Sequence, residues 1–384
     1  MTDPLQLRIE ATLEGCGIER WERVTRESPL FMRAPFLQAL EDSMPDSLQP
    51  RYGIVGETDN PVAVMVGQVV TIQADKMEPA AAGKARPKLV RSVMSRLRTR
   101  VFQWGNFMGW GHSGIAFAPG ADREALWPGL AAAMDSACDL DAEIRAAGIE
   151  LVLDLSDDET RGARHLEAYR FCAMRAEPDM VLALDPAWKG FEDYRAALKS
   201  KYRKASLDMD KELSAAGCVI EKLEDVEAHA DALLELHLQV HEQSVNRFVT
   251  LKRAFLPGLA HRLGDRFICR IVRQGPRILG FVTTLIDGET ALAYVVGHDV
   301  EANRALPIYL RLLQTAIDDG IRHGCRRVTY GRTALEPKAR LGAVARPLTI
   351  YGRHRNPVIG PLVTPILQQL APTEGPPPRS PFKE

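Results

Sequence analysis

Residues 266–330 read RFICRIVRQGPRILGFVTTLIDGETALAYVVGHDVEANRALPIYLRLLQTAIDDGIRHGCRRVTY, and the order of elements in this stretch decides the fold. Arg266–Arg273 alternates apolar and polar residues, Gln274-Gly275 turns the chain, and Ile278–Ile286 continues as a strand. Asp287-Gly288 is a strong hairpin signal, and Thr290–Val296 follows as the third strand of an antiparallel meander. Between Leu306 and His323, the residues Leu306, Leu310, Leu313, Ile317 and Ile321 recur at three- and four-residue steps, which predicts a helix. Pro307 suits its first turn and Gly324 its C-terminal cap. Arg327–Tyr330 is the next strand. A crossover helix makes it parallel to the strand before the helix, so the sheet is mixed.

Upstream, Cys218–Lys222 reads as a short strand, and Asp225–Gln243 and Leu251–Leu263 as helices. Phe191–Leu213 reads as one helix with Lys199, Lys201, Arg203 and Lys204 in its middle; a solvated basic face and a phosphate or acceptor contact would both produce that cluster. The first half repeats the grammar. Arg51–Gly56 and Val62–Ile72 are strand candidates, Val101–Phe117 contains more, and a long helix capped by Asp122 runs to Gly148. Glu150–Leu155 is the apolar strand after it. The expected architecture is α/β (α+β, mixed-sheet), with two tandem modules, each a mixed sheet flanked by helices. Residues 1–185 form the first module and 186–370 the second, joined near Asp185–Pro186, with a Pro-rich disordered tail at 371–384.

Composition narrows the function classes. With 384 residues, 49 Lys+Arg against 50 Asp+Glu leave no charge bias toward nucleic acid. No apolar run approaches the roughly 18 residues of a spanning helix. The stretch MTDPLQLRIEATLEG lacks a charged leader with an apolar core, so no secretory signal is expected. The six cysteines stand singly, with no Cys/His ligand spacing, which points to a reduced cytoplasmic setting and no metal site.

The run LKSKYRKASLDMDKEL, then a strand, two helices and a meander, continuing into PIYLRLLQTAIDDGIRHGCRRVTYGRTALEPKARLGA, resembles the GNAT acyltransferase superfamily, in its tandem-GNAT FemAB-like and BioF2-like branch. The resemblance implies transfer of an acyl group from an activated ester or thioester to an amine. No tightly bound cofactor is implied; acyl-CoA or acyl carrier protein would be the co-substrate. Such a reaction needs an amine stripped of its proton, because an alkylammonium with a pKa of about 10 has no lone pair at pH 7. It also needs donors aimed at the developing oxyanion, which these proteins supply from splayed strand backbone. Here the splayed pair would be Thr290–His298 and Arg327–Tyr330. One departure stands out. Where the family holds the CoA diphosphate with a glycine-rich turn, this chain reads His298-Asp299-Val300-Glu301-Ala302-Asn303-Arg304-Ala305-Leu306-Pro307, with no glycine and two carboxylates.

Candidate chemistry follows from placement. His298 ends the third meander strand and His241 closes the long helix before it; histidine accepts a proton near neutral pH without a large shift. Tyr294 lies on the strand expected to polarise the donor. Tyr330, Arg332, Glu336 and Lys338 follow the next strand, outside the strand carboxyl ends where α/β sheets bind ligands. His298, His241, Tyr294 and Glu336 are the catalytic candidates, and Tyr330, Arg332, Lys338, Lys201 and Arg203 the substrate-binding ones. Core packing or a charged surface loop would account for the same residues.

From Pro79 to Ala121 there is no acidic residue, while Lys84, Arg86, Lys88, Arg91, Arg96, Arg98 and Arg100 alternate with apolar residues at helical steps. A basic amphipathic helix of this kind suits an anionic membrane surface, with Arg91, Arg96, Arg98 and Arg100 at the headgroups. RNA backbone would use the same cations, and an ordinary packed helix would look alike. The favoured reading is a peripheral enzyme on the inner face of the cytoplasmic membrane that acylates a lipid-like amine such as a sphingoid base. A tRNA-dependent aminoacyltransferase of peptidoglycan or peptide synthesis is the runner-up, and a degenerate, non-catalytic binding module the third reading.

Overall fold

The structure is a computed structural model; it describes residues 5–45, 47–73, 98–111, 113–243, 249–356, 358, 360 and 379–383. The chain forms two compact units. The first gathers Met1–Glu177, Val245–Val249 and Pro347–Thr373; the second gathers Pro178–Ser244, Thr250–Arg346 and Glu374–Glu384.

The first unit is built on strands β1 (Leu7–Glu10), β2 (Leu48–Gly56), β3 (Pro61–Gln73), β4 (Arg98–Trp104), β5 (Ile115–Phe117), β6 (Ile149–Leu155) and β7 (Cys172–Arg175). The second carries β8 (Asp179–Ala183), β9 (Cys218–Lys222), β10 (Phe267–Gln274), β11 (Arg277–Asp287), β12 (Thr290–His298), β13 (Arg327–Thr329) and β14 (Val344–Arg346). A last strand, β15 (Thr349–His354), returns to the first sheet. The sheet orders are β1-β2-β3-β4-β6-β15-β7, with β5 against β3, and β14-β8-β13-β12-β11-β10-β9.

Both sheets are mixed in the same way. An antiparallel meander (β2-β3-β4, β10-β11-β12) feeds a helix, and the strand after that helix lies parallel to the third meander strand: β4 with β6, β12 with β13. The slot beyond each parallel strand is filled from a distant part of the chain, by β15 in the first unit and β8 in the second. That exchange moves the boundary expected near Asp185–Pro186 back to Glu177–Pro178, because Asp179–Ala183 is a strand of the second sheet rather than the end of the first module.

Three further expectations are corrected. The helix expected over Phe191–Leu213 is two helices, Phe191–Ala197 and Ser200–Ala215, with Leu198 and Lys199 extended between them. The helix after Asp122 stops at Leu140 and restarts as Ala142–Ala146, because the Asp141 carboxylate takes the Glu143 and Ile144 N–H groups and pairs with Arg51 at 2.7 Å. The tail expected to be disordered is placed over Arg379–Lys383, where Phe382 is buried; residues 371–378 lie outside the described residues. The crossover helix of the second unit, Ile308–Arg322, buries Leu312, Leu313, Ala316, Ile317 and Ile321; of the periodic residues Leu313, Ile317 and Ile321 are thus buried, while Leu310 is half-buried and Leu306 precedes the helix. A short helix, Val300–Ala305, precedes it.

Candidate active site

The register of β12 opens the site. Val282 faces Val296 and Thr284 faces Ala293, so Tyr294 and Val295 together oppose the single residue Thr283, a bulge carried by β12. The Val295 N–H donates to the Thr283 hydroxyl at 2.9 Å, which holds the bulge toward β11. On its other side, β12 pairs with β13 only through Thr290–Leu292 against Arg327–Thr329. Beyond that, Tyr330 donates its N–H to the Met180 carbonyl of β8 at 2.9 Å, so the chain follows β8 and leaves β12. A wedge results. Its β12 lip is Ala293–His298 and its other lip is Tyr330–Arg332.

Aromatic and imidazole groups stand around this wedge. His298 shares the crossover-helix face of the sheet with Tyr309, the rings 5.8 Å apart. Burial holds the His298 pKa below that of a free histidine, so the ring is neutral at pH 7 and has a lone pair to accept a proton. Burial pushes the Tyr309 phenol up to about 12. Tyr330 donates its hydroxyl to the Leu313 carbonyl at 3.2 Å, and its pKa is raised by burial, with Tyr194 and Tyr309 nearby. Tyr294 packs its ring 6.2 Å from Phe255 and is also held protonated by burial. A phenol kept protonated can donate to a developing anion.

The helix Ala230–Gln243 crosses the opposite face. It runs against β12 so closely that a Cβ on Gly297 would lie 2.6 Å from the His237 backbone nitrogen. Only glycine permits that approach, and it brings His237 Nδ1 to 3.4 Å from the Val296 carbonyl, on the stretch of β12 that β13 has left. His237 stacks on His241 with centroids 5.8 Å apart, and burial lowers its pKa to about 4. With Nδ1–H donated to a carbonyl, Nε2 is left as an acceptor. His241 Nε2 lies 3.5 Å from the Thr250 hydroxyl.

A GNAT acetyltransferase domain model matches residues 200–338. Among solved structures, FemX is 12% identical over 92% of this chain and 98% of its own, with a TM-score of 0.55. The tandem GNAT protein from the clavulanic acid biosynthesis pathway is 13% identical over 92% and 99%, with a TM-score of 0.50. Residues 200–338 are thus a GNAT acetyltransferase domain, and the chain shares its fold with FemX and a tandem GNAT protein. No curated protein matches it in sequence.

Within the GNAT frame, the loop between β12 and the crossover helix is where a donor's diphosphate would meet backbone amides. Those amides are engaged by the chain itself. Val300 N–H donates to Gln239 Oε1 at 3.1 Å, Ala302 N–H to Asp299 Oδ1 at 2.8 Å, and Asn303 N–H to the Asp299 carbonyl at 2.9 Å. Tyr309 N–H donates to Asn303 Oδ1 at 2.8 Å, and Arg311 N–H to the Pro307 carbonyl at 3.1 Å. Arg277 pairs with the other oxygen of Asp299. The buried Asp299 carboxylate and the exposed Arg277 guanidinium thus pair with each other at this loop.

Several candidates take different roles from those expected. Lys338 is buried, its Nζ donating to the carbonyls of Tyr330 (2.7 Å), Gly331 (3.2 Å) and Arg332 (2.6 Å), so it clamps the wedge lip instead of offering a charge to substrate. Glu336 pairs with Arg340 at 2.9 Å and Arg379 at 2.8 Å, which hold its carboxyl below the usual range and make it a poor base. Arg332 is half-buried beside that clamp, Lys201 is exposed, and Arg203 is half-buried on its helix. Arg91 and Arg96 lie outside the described residues. Arg98 and Arg100 belong to β4, not to a helix, and Arg100 pairs with Glu143 at 2.8 Å.

Tyr309 carried no signal beyond its place after Pro307, and His237 was legible only as the neighbour of His241. The pairing of Gly297 with a helix backbone is the cue that would have ranked His237 higher.

Proposed function

We propose that this chain is an N-acyltransferase, moving an acyl group from a thioester on CoA or acyl carrier protein to a primary amine, with a long-chain lipid amine such as a sphingoid base as the acceptor. The observation that carries the reading is the wedge between β12 and β13, opened by the Tyr294–Val295 bulge. A carbonyl lying there meets strand backbone and the Tyr294 phenol as donors for its developing oxyanion. His298, neutral at pH 7, takes the proton from the attacking ammonium, and the freed nitrogen forms the amide bond as the carbon–sulfur bond breaks. The departing thiolate takes a proton from Tyr294 or from water, which recovers it from the second N–H that the nitrogen loses on becoming an amide.

The first unit is read as the acceptor-side, non-catalytic module. Its counterpart of the wedge, beyond Trp104 on β4, is filled by a buried amide network: Gln68 Oε1 accepts the Phe107 N–H at 2.7 Å, and Asn106 Oδ1 accepts the Met108 N–H at 3.0 Å. A second reading, transfer of an aminoacyl group from tRNA, is favoured by the occupied amides of the 298–309 loop, which leave no diphosphate cradle there. Attachment to an anionic membrane belongs to the proposal through Lys84, Arg86, Lys88, Arg91 and Arg96; no helix among the described residues is long and apolar enough to cross a membrane.

Two incubations test the reading: purified protein with labelled acyl-CoA or acyl carrier protein and a long-chain amine, and with aminoacyl-tRNA and a muropeptide. Product in the first supports the proposal. Product in the second alone transfers it to the tRNA reading.

A further inference from the structure

The extended break at Leu198–Lys199 has an occupant. Lys199 donates its N–H to the Pro381 carbonyl at 2.8 Å, and Lys383 donates its N–H to the Ala197 carbonyl at 3.0 Å, so Leu198 and Phe382 form an antiparallel bridge. These two bonds satisfy backbone groups exposed by the interruption between the two helices. Side chains reinforce them, with Lys383 Nζ 2.7 Å from the Ala196 carbonyl and Lys199 Nζ 3.3 Å from the Ser380 hydroxyl.

Phe382 is the anchor. Its ring lies 6.0 Å from that of Trp188 and 5.9 Å, edge to face, from that of Tyr194. It covers Gly342 so closely that no Cβ fits there, and φ at Gly342 is +98°. Tyr194 completes the connection by donating its hydroxyl to the Leu341 carbonyl at 3.0 Å. At the other end of the docked segment, Arg379 reaches Glu336 at 2.8 Å. The segment therefore touches the short helix Leu335–Arg340 at its first turn, through Arg379, and just past its last, through Phe382. That helix supplies Lys338, whose ammonium holds the carbonyls of Tyr330, Gly331 and Arg332. A six-residue helix has too few internal bonds to hold its own position.

We propose that Arg379–Lys383 is a latch with Phe382 as a positioning residue: docked, it fixes the Leu335–Arg340 helix, and through Lys338 it fixes the β13 lip of the wedge. Its effect on acyl transfer rests on the proposed function. Its effect on the lip does not, and is measurable without substrate. Aromatic anchoring combined with strand-like pairing is a general mode of peptide docking, so the docked segment is separable from its groove by substitution and replaceable in trans.

The test is hydrogen exchange on the full chain, read by mass spectrometry. In Phe382→Ala, amides of residues 333–343 and of Lys199 should exchange at least tenfold faster than in wild type, with β10–β12 unchanged. Adding the peptide Arg-Ser-Pro-Phe-Lys should restore the slow exchange, and Arg-Ser-Pro-Ala-Lys should not. Should Phe382→Ala fail to fold, Arg379→Glu supplies the same readout, with faster exchange confined to residues 333–340. Unchanged exchange in a folded variant would overturn the latch whatever the acylation assays give. Faster exchange with no acyl transfer by wild type would retain the latch and remove the reaction.

Discussion

The ammonium of Lys338 lies 2.7 Å from the carbonyl oxygen of Tyr330, inside the protein rather than at its surface. The lysine is there because the chain must leave β12 after Thr329. The loop that does so passes Thr333 and Ala334 through positive φ (64° and 43°), and among the carbonyls that Lys338 reaches, that of Gly331 also accepts the Met180 N–H of β8 at 3.2 Å. A charged donor satisfies them. Lys338→Met should remove the charged donor from these buried acceptors and destabilise the fold by about 1–3 kcal/mol, the cost of an unsatisfied buried group. Denaturant melts check this, and a loss below about 0.5 kcal/mol would contradict the clamp.

Asp319 is fully buried on the crossover helix and pairs with Arg270 at 2.6 Å, with the Thr284 hydroxyl at 3.2 Å; burial raises its pKa. Arg270→Met should cost about 3–5 kcal/mol, because it strands a buried carboxyl. Replacing both residues, Arg270→Met with Asp319→Leu, should recover much of that loss. Chemical denaturation of the three variants gives the comparison.

His237 has a folded pKa of about 4, below its unfolded value of about 6.5. A depressed histidine contributes nothing adverse above the unfolded pKa, and the fold loses stability as pH falls from about 6.5 toward 4, where the unfolded chain binds the extra proton. The span sets an upper bound of about 3 kcal/mol at pH 4. His237→Phe should flatten this acid limb in thermal melts between pH 7 and pH 4. An unchanged limb would place the acid sensitivity elsewhere, with His298, also depressed by burial, the next group to replace.

For the proposed reaction, His298→Gln should lower kcat by about 10²–10⁴-fold while leaving the melting temperature near that of wild type. The acid limb of kcat/KM should fall below pH 6.5, since burial lowers the His298 pKa. Tyr309→Phe keeps the ring against His298 and should cost far less. A His298→Gln enzyme with wild-type kcat would remove this histidine from the chemistry.

Asp299→Ser retains a side-chain oxygen for the Ala302 N–H but deletes the charge paired with Arg277. The variant should gain at least tenfold affinity for desulfo-CoA by calorimetry, as the carboxylate charge is removed and Arg277 becomes available to phosphate. Equal affinity in wild type and variant would show that Asp299 does not exclude a diphosphate.

Much of the second unit was readable because its elements follow local rules. The Asp287-Gly288 turn, the alternation of Arg266–Arg273 and the 3.6-residue rhythm of the crossover helix each depend on neighbours a few residues away. The capped break at Asp141 was harder, since its cue is an Arg51 ion pair 90 residues distant. The break at Leu198 had no local cue at all. Its sequence is good helix, and only the docking of Pro381–Lys383 makes an extended backbone favourable there. Glu336 and Lys338 were legible as charges on the loop beyond β13, but not their ion-pair and carbonyl partners, because loop charges look alike until their partners are known.

By itself the chain's sequence determined two meander-and-crossover units, the parallel pairing of β12 with β13 and the lack of a glycine-rich phosphate turn, because periodicity, turn chemistry and handedness act over short distances. Tertiary structure alone decided the exchange of β8 and β15 between the sheets, the tilted packing of Tyr309 against His298 and the burial of Lys338. Those depend on which distant backbone leaves a strand slot, a carbonyl or an aromatic face unfilled, and desolvation then selects the partner that fills it.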